Sequence, residues 1–268
     1  MAEKSEIQWT DSTWNPWHGC KKVSKGCKYC YMYRGKERFK QDPTIVLRSK
    51  NRFKDPLKWK EPKMIFTCSW SDWFIQDADE WRAEAWEIIK ATPQHTYQIL
   101  TKRPERIIEC LPEDWGDGYP NVWIGISVED QDAANERIPF LKGFDAVIKF
   151  VSFEPLLDDI NLLTEDLKYV IWKPFMNEDG NFDISINMAF DWAIIGGESG
   201  NENGTYKYRP CYINSILSLT TLLMEVDVKV FIKQFGTYLS KHLGYKDRHG
   251  GNIEEWPINM QIREMPNK

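Results

Sequence analysis

The chain has 268 residues, 42% of them apolar, and a formal net charge of −5. That length and apolar content suffice for one sizeable core, and no apolar run is long enough for a membrane-spanning helix. The start, MAEKSEIQWTDSTW, lacks a basic segment followed by an apolar one, so the sequence reads as a cytosolic protein without a secretory signal.

Charge is unevenly spread. Residues 1–63 hold 16 Lys/Arg against 7 Asp/Glu, and the remainder holds 19 against 33. A basic N-terminal part suits phosphates or an acidic partner; solvated surface lysines are the plain alternative. Thirteen tryptophans are expected mainly in the core or on pocket walls, with a few free to stack on a base.

Seven short apolar runs read as strands: Ile7–Thr10, Met64–Cys68, Tyr97–Leu100, Val122–Ile126, Ile148–Ser152, Trp192–Ile195 and Val228–Ile232. Most are continuously apolar, as strands covered on both faces should be. Helical spacing lies between them. Trp81, Ala85, Ile88 and Ile89 mark one face, with Asp79 as its expected N-cap. Ala134, Ile138 and Leu141 mark a second, and Ile213, Ile216, Leu217 and Leu223 a third, after Pro210.

Alternating strands and helices predict an α/β fold: a partial or open (β/α) barrel of six to seven mainly parallel strands in a single domain, 1–268. Residues 35–62, with Pro43, Pro56 and Pro62, read as an irregular connection. Residues 161–190 read as an inserted β-hairpin turning at Asp179-Gly180, and 236–268 as a C-terminal extension.

The most informative stretch lies within residues 11–40, a cysteine loop and the helix expected after it. TWNPWHGCKKVSKGCKYCYMYR sets Cys20, Cys27 and Cys30 at C-x6-C-x2-C spacing, with Gly19 and Gly26 each before a cysteine. Three thiolates on a [4Fe–4S] cluster leave one iron without a protein ligand, free for a small molecule. Zinc is the alternative, with His18 as a fourth ligand. Cys68, Cys110 and Cys211 are scattered. His95, His242 and His249 show no ligand spacing, and no phosphate loop, Ser/His/Asp set or dinucleotide motif is present.

Each apolar run stops at polar residues, where a barrel carries its active site. The candidates at the second to fourth strand ends are Cys68, Ser69, Asp72, Lys102, Ser127 and Glu129. Glu154 follows at the fifth, Gly196, Gly197, Glu198 and Ser199 at the sixth, and Lys233 and Gln234 at the seventh. Cys68, Lys102 and Glu154 are the candidates for chemistry; structural ion pairs and turns are the competing explanation.

WTDSTWNPWHGCKKVSKGCKYCY, LTKRPERI, NVWIGISVEDQDAANERIPFL, FVSFEPLL, IIGGESG and VFIKQFG, in that order, resemble the phage-associated three-Cys-motif protein family. That family is similar in turn to radical S-adenosylmethionine barrel enzymes. The resemblance implies a cluster on the three cysteines, S-adenosylmethionine on its open iron, and hydrogen abstraction from a substrate such as nucleic acid or a modified base. It also implies a reductant protein, and Tyr29, just before the last cysteine, near the adenine. Two departures stand out. The first cysteine gap is six residues where radical enzymes have three, and Gly196-Gly197-Glu198, which resembles the GGE element that contacts the amino group of S-adenosylmethionine in those enzymes, follows the sixth strand instead of the second.

Overall fold

The computed structural model describes residues 4–176 and 182–267. Seven parallel strands form one sheet: β1 (Ser12–Trp14), β2 (Met64–Thr67), β3 (Thr96–Thr101), β4 (Val122–Ser127), β5 (Ile148–Phe153), β6 (Trp192–Gly196) and β7 (Lys229–Gln234). They lie side by side in chain order. Every connection therefore returns to the neighbouring strand, and the sheet curls into an open half-barrel.

Six strands fall where the apolar runs predict them. The first does not. Ile7 and Trp9 alternate like a strand, but β1 is the short Ser-Thr-Trp segment that pairs with Ile65, Phe66 and Thr67 of β2. Ile7 and Trp9 instead pack against the concave face of the sheet. Its three residues, two of them polar, leave β1 no apolar run to mark it.

Among the described residues, the five longer helices in the barrel pattern are α1 (Tyr31–Arg38), α2 (Asp79–Lys90), α3 (Gln131–Arg137), α4 (Ile213–Glu225) and α5 (Gly236–Leu243). Asp79 does not cap α2. Ala78 holds that position, and the Asp79 carboxylate pairs with Arg82 and Arg106. Asp130 caps α3, its side chain accepting from Ala133 N at 2.9 Å. The hairpin expected at 161–190 consists of Lys168–Met176 paired antiparallel with Phe182–Met188. Its predicted Asp179-Gly180 turn lies outside the described residues.

Two cores result. The convex face packs under the helices, and there Trp17, Trp14, Trp73, Trp86 and Trp115 make a chain of ring contacts 4.9–5.9 Å apart. Among the described residues nine tryptophans are buried, as core residues should be. The concave face carries Trp9, Phe66, Trp123, Phe150, Trp192 and Phe231, with Met265 from the tail. Residues from both ends of the chain thus fill the lower part of the half-barrel.

The tail also covers the exposed edge of β7. Ile232 N donates to Ile262 O, and Glu264 N donates to Val230 O, both at 2.9 Å.

Gly125 is fixed by packing. A Cβ there would stand 2.5 Å from the Phe150 ring. Gly125→Ala is expected to destabilise the fold by about 1–3 kcal/mol through overpacking, read as a lower urea midpoint with unchanged slope.

Candidate functional site

The upper part of the half-barrel is open because its inward positions carry small residues. Ser127 of β4 and Ser152 of β5 are register partners and leave space above Phe150 and Trp192. The result is a cavity of about 470 Å³ at the C-terminal ends of the strands.

Cys20, Cys27 and Cys30 all line this cavity. Their loop is anchored residue by residue. Gly19 adopts φ +99°, and a Cβ there would meet Ile45 O at 2.1 Å, so only glycine fits. Gly19 N donates to Trp70 O, Cys20 N to Pro43 O, and Ser71 Oγ to Gly19 O. A single 3₁₀ turn, Lys25–Cys27, carries the second cysteine. Cys30 sits at the N-cap of α1, where the backbone N–H groups of Met32 and Tyr33 favour its thiolate. Gly26 does not need its freedom of φ. It gives room to the Glu129 carboxyl, which a Cβ would approach to 3.0 Å.

Three strand-end carboxylates clamp the loop. Asp72 bonds Arg103 at 3.0 Å, and Arg103 donates to Lys21 O at 2.8 Å and to Cys20 Sγ at 3.7 Å. Glu129 pairs with Arg137 at 2.9 Å and Lys102 at 3.2 Å, and accepts from Gly26 N at 3.3 Å. Glu198 is held by Arg209 in a two-pronged pair, and Arg209 donates to Lys25 O at 2.8 Å. Arg209 also lies over the Tyr29 ring, 5.4 Å from its centroid. The wide first cysteine gap now has a role. Its extra residues present the Lys21 and Lys25 carbonyls to the two arginines.

These contacts revise several predicted roles. Tyr29, Ser69, Lys102, Ser127, Glu154, Gly197, Ser199, Lys233 and Gln234 line the cavity as expected of ligand-binding residues. Asp72 and Glu198 also reach it, but their carboxylates are taken up by arginine and backbone partners. Glu129 lies behind the loop, 1% exposed. Gly196 does not line the cavity either; Glu154 lies across it, and a Cβ would stand 2.4 Å from the Glu154 carboxyl. Glu154 pairs with Lys233 at 2.9 Å and accepts from Ser152 Oγ at 3.3 Å. Cys68 lines the cavity at φ +58°, and burial pushes its thiol well up. Cys110 and Cys211 are buried outside it. Arg209 escaped the strand-end pattern because it stands before Pro210, in a loop without periodicity.

The three thiols of the loop have different surroundings. Burial pushes Cys20 up to about 12, Asp72 adds to the rise, and Arg103 opposes it. Burial also raises Cys30, against the Met32 and Tyr33 N–H groups. The Cys20 and Cys30 thiols therefore hold their protons at neutral pH. Each sulfur has a donor or hydroxyl beside it: Arg103 for Cys20, Ser24 Oγ at 3.8 Å for Cys27, and the backbone N–H groups for Cys30. Such partners orient and stabilise metal-bound thiolates. Among the described residues, no three His, Cys, Asp or Glu groups form a site for a single ion. His18, the fourth zinc ligand of the alternative, has its Nδ1 against the Lys36 ammonium.

A family model described as a protein of unknown function, DUF5131, matches residues 4–262. The chain belongs to that family. No curated protein and no solved structure matches it. The DUF5131 match spans the cysteine loop, all seven strands and the Arg209 clamp.

Glu129 gives this DUF5131 chain an acid-sensitive clamp. Burial alone would raise its pKa, but Lys102, the Ser24 hydroxyl and Arg137 outweigh that and hold it at about 2, below the ordinary 4.5. A lowered folded-state pKa adds stability above 4.5, and that stability is lost as pH falls from 4.5 towards about 2. Urea midpoints measured across that window are expected to fall, and the fall should be shallower in Glu129→Gln.

Proposed function

We propose that Cys20, Cys27 and Cys30 hold a [4Fe–4S] cluster and that the cavity beside it binds S-adenosylmethionine for radical chemistry. One observation carries the reading. Three thiols from one clamped loop share a cavity of about 470 Å³ with the strand-end polar groups of an open (β/α) barrel. That volume falls in the ordinary range for small-molecule sites. Reduced cluster, when bound, supplies the electron that cleaves S-adenosylmethionine to a carbon radical able to abstract hydrogen.

The chain's own residues bind, orient and exclude water. Lys102, 18% exposed at its side chain and close enough to favour the Cys30 thiolate, offsets negative charge at the cluster end. The Glu154–Lys233 pair spans the opposite wall and offers a carboxylate and an ammonium to an amino-acid moiety. Gln234 Nε2 donates to Gly197 O and Ser199 Oγ, both at 2.8 Å, which fixes the glycine turn on that side. Tyr29, held between Arg209 and Lys28, is a candidate ring wall for the adenine. Ile7, Trp9, Phe66 and Leu100 make an apolar floor that keeps water from a radical.

Zinc on the same thiols remains the rival chemistry, and metal analysis separates the two. Anaerobic treatment with iron and sulfide is expected to give a brown protein with cluster absorbance, and reductant plus S-adenosylmethionine to release 5′-deoxyadenosine. Single Cys20→Ala, Cys27→Ala and Cys30→Ala variants should lose both signals. One tightly held zinc, with no uptake of iron and sulfide, would overturn the proposal.

A further inference from the structure

We infer that the face beside the cavity mouth binds single-stranded nucleic acid and presents one unstacked base to the cavity. Its use as a substrate rests on the radical reading above; its binding rests on surface chemistry alone.

Helix α1 buries Met32, Tyr33 and Lys36 on one side. Its exposed side carries Tyr31, Arg34 and Arg38, at helical positions i, i+3 and i+7, which form one stripe. Tyr31 and Arg34 line the cavity, and Arg38 lies one turn further along the helix. The stripe therefore leads out from the mouth. Its two guanidinium groups are separated by about 6 Å along the helix axis.

Tyr31 is 48% exposed as a residue, while its buried hydroxyl is bonded to Ser69 O. A large ring left open at a cavity rim and pinned at its far end has little rotamer entropy left to lose. That is the property of a stacking platform for a base.

The positive charge of this face is not used up by ion pairs. Lys21, Lys25, Arg48, Arg52, Lys54 and Lys58 each pair with a carboxylate. Among the described residues, Lys22, Lys28, Arg34, Arg38 and Lys40 form no such pair. Lys22 also lines the cavity, its ammonium over the Tyr33 ring. Lys22 and Arg34 at the cavity, with Arg38 one turn further along the helix, leave unmatched positive charge at the mouth of a chain of net charge −5, which suits an anionic partner.

A nucleic-acid strand fits more of these features than an acidic protein surface does. Both would meet the cations. Only the strand also uses the pinned Tyr31 ring and the apolar floor of the cavity. A base must be unstacked to enter such a cavity, and a single strand pays the least for that.

The test is fluorescence anisotropy with a labelled oligothymidylate, on protein as purified and after cluster reconstitution, at several salt concentrations. Wild type is expected to bind with an affinity that falls as salt rises. The double variant Arg34→Glu/Arg38→Glu should bind at least about tenfold more weakly, with a log–log salt slope shallower by about 1.4 for two lost phosphate contacts. Arg34→Gln/Arg38→Gln, a milder change at exposed positions, should move both readouts the same way, with circular dichroism unchanged. No oligonucleotide binding, or binding indifferent to both variants, overturns the inference. Displacement of the strand by polyglutamate at equal charge concentration also overturns it, and assigns the face to an acidic protein. Binding retained by protein that takes up no cluster would sink the cofactor reading and leave this one standing.

Discussion

The site depends on charged pairs at the strand ends that hold a loop with almost no regular structure of its own. Asp72, Glu129 and Glu198 project from the second, fourth and sixth strand ends, and each is matched by arginine or lysine. Asp72 and Glu198 hold the Lys21 and Lys25 carbonyls through their arginines, and Glu129 accepts from the Gly26 N–H directly. Burying such charges costs desolvation, and removing one partner of a buried pair typically costs about 3–5 kcal/mol. The pairs are tolerated here because each also satisfies backbone groups of the loop. The cysteines are thus positioned by the barrel, not by a secondary-structure element beneath them.

That arrangement separates two kinds of polar residue at the same mouth. Carboxylates saturated by arginine and backbone donors build the loop. Residues with less complete partnering face the cavity: the Glu154–Lys233 pair, Ser127, Ser152 and Lys102. Beneath them the aromatic floor is filled from both ends of the chain, by Trp9 and by Met265. An open half-barrel thereby gains a closed bottom without an eighth strand. The cavity is polar at its thiol end and apolar at its base, a contrast suited to a charged cofactor beside a less polar reacting group.

The architecture could be read from the chain because strands covered on both faces must be apolar throughout. Val122–Ser127 and Ile148–Phe153 are buried at every position, and the sequence runs show it. β1 was hidden because an edge strand of three residues needs no such run, while Ile7 and Trp9 mimic one. At the site, strand ends named the right residues but not their roles. Whether Glu129 meets a ligand or Arg137 depends on a helix eight residues later turning back over the sheet. The Glu198 partner, Arg209, lies beyond an irregular loop that leaves no periodic trace. Local pattern reports burial; it does not report which distant cation neutralises a buried anion.

The central claim is that three thiolates hold a cluster whose remaining iron is open to S-adenosylmethionine. Electron paramagnetic resonance of the reduced, reconstituted protein tests it most directly, with and without S-adenosylmethionine. The account predicts a reduced-cluster signal whose g-values shift when S-adenosylmethionine is added. A cluster signal identical in its presence and absence would contradict it.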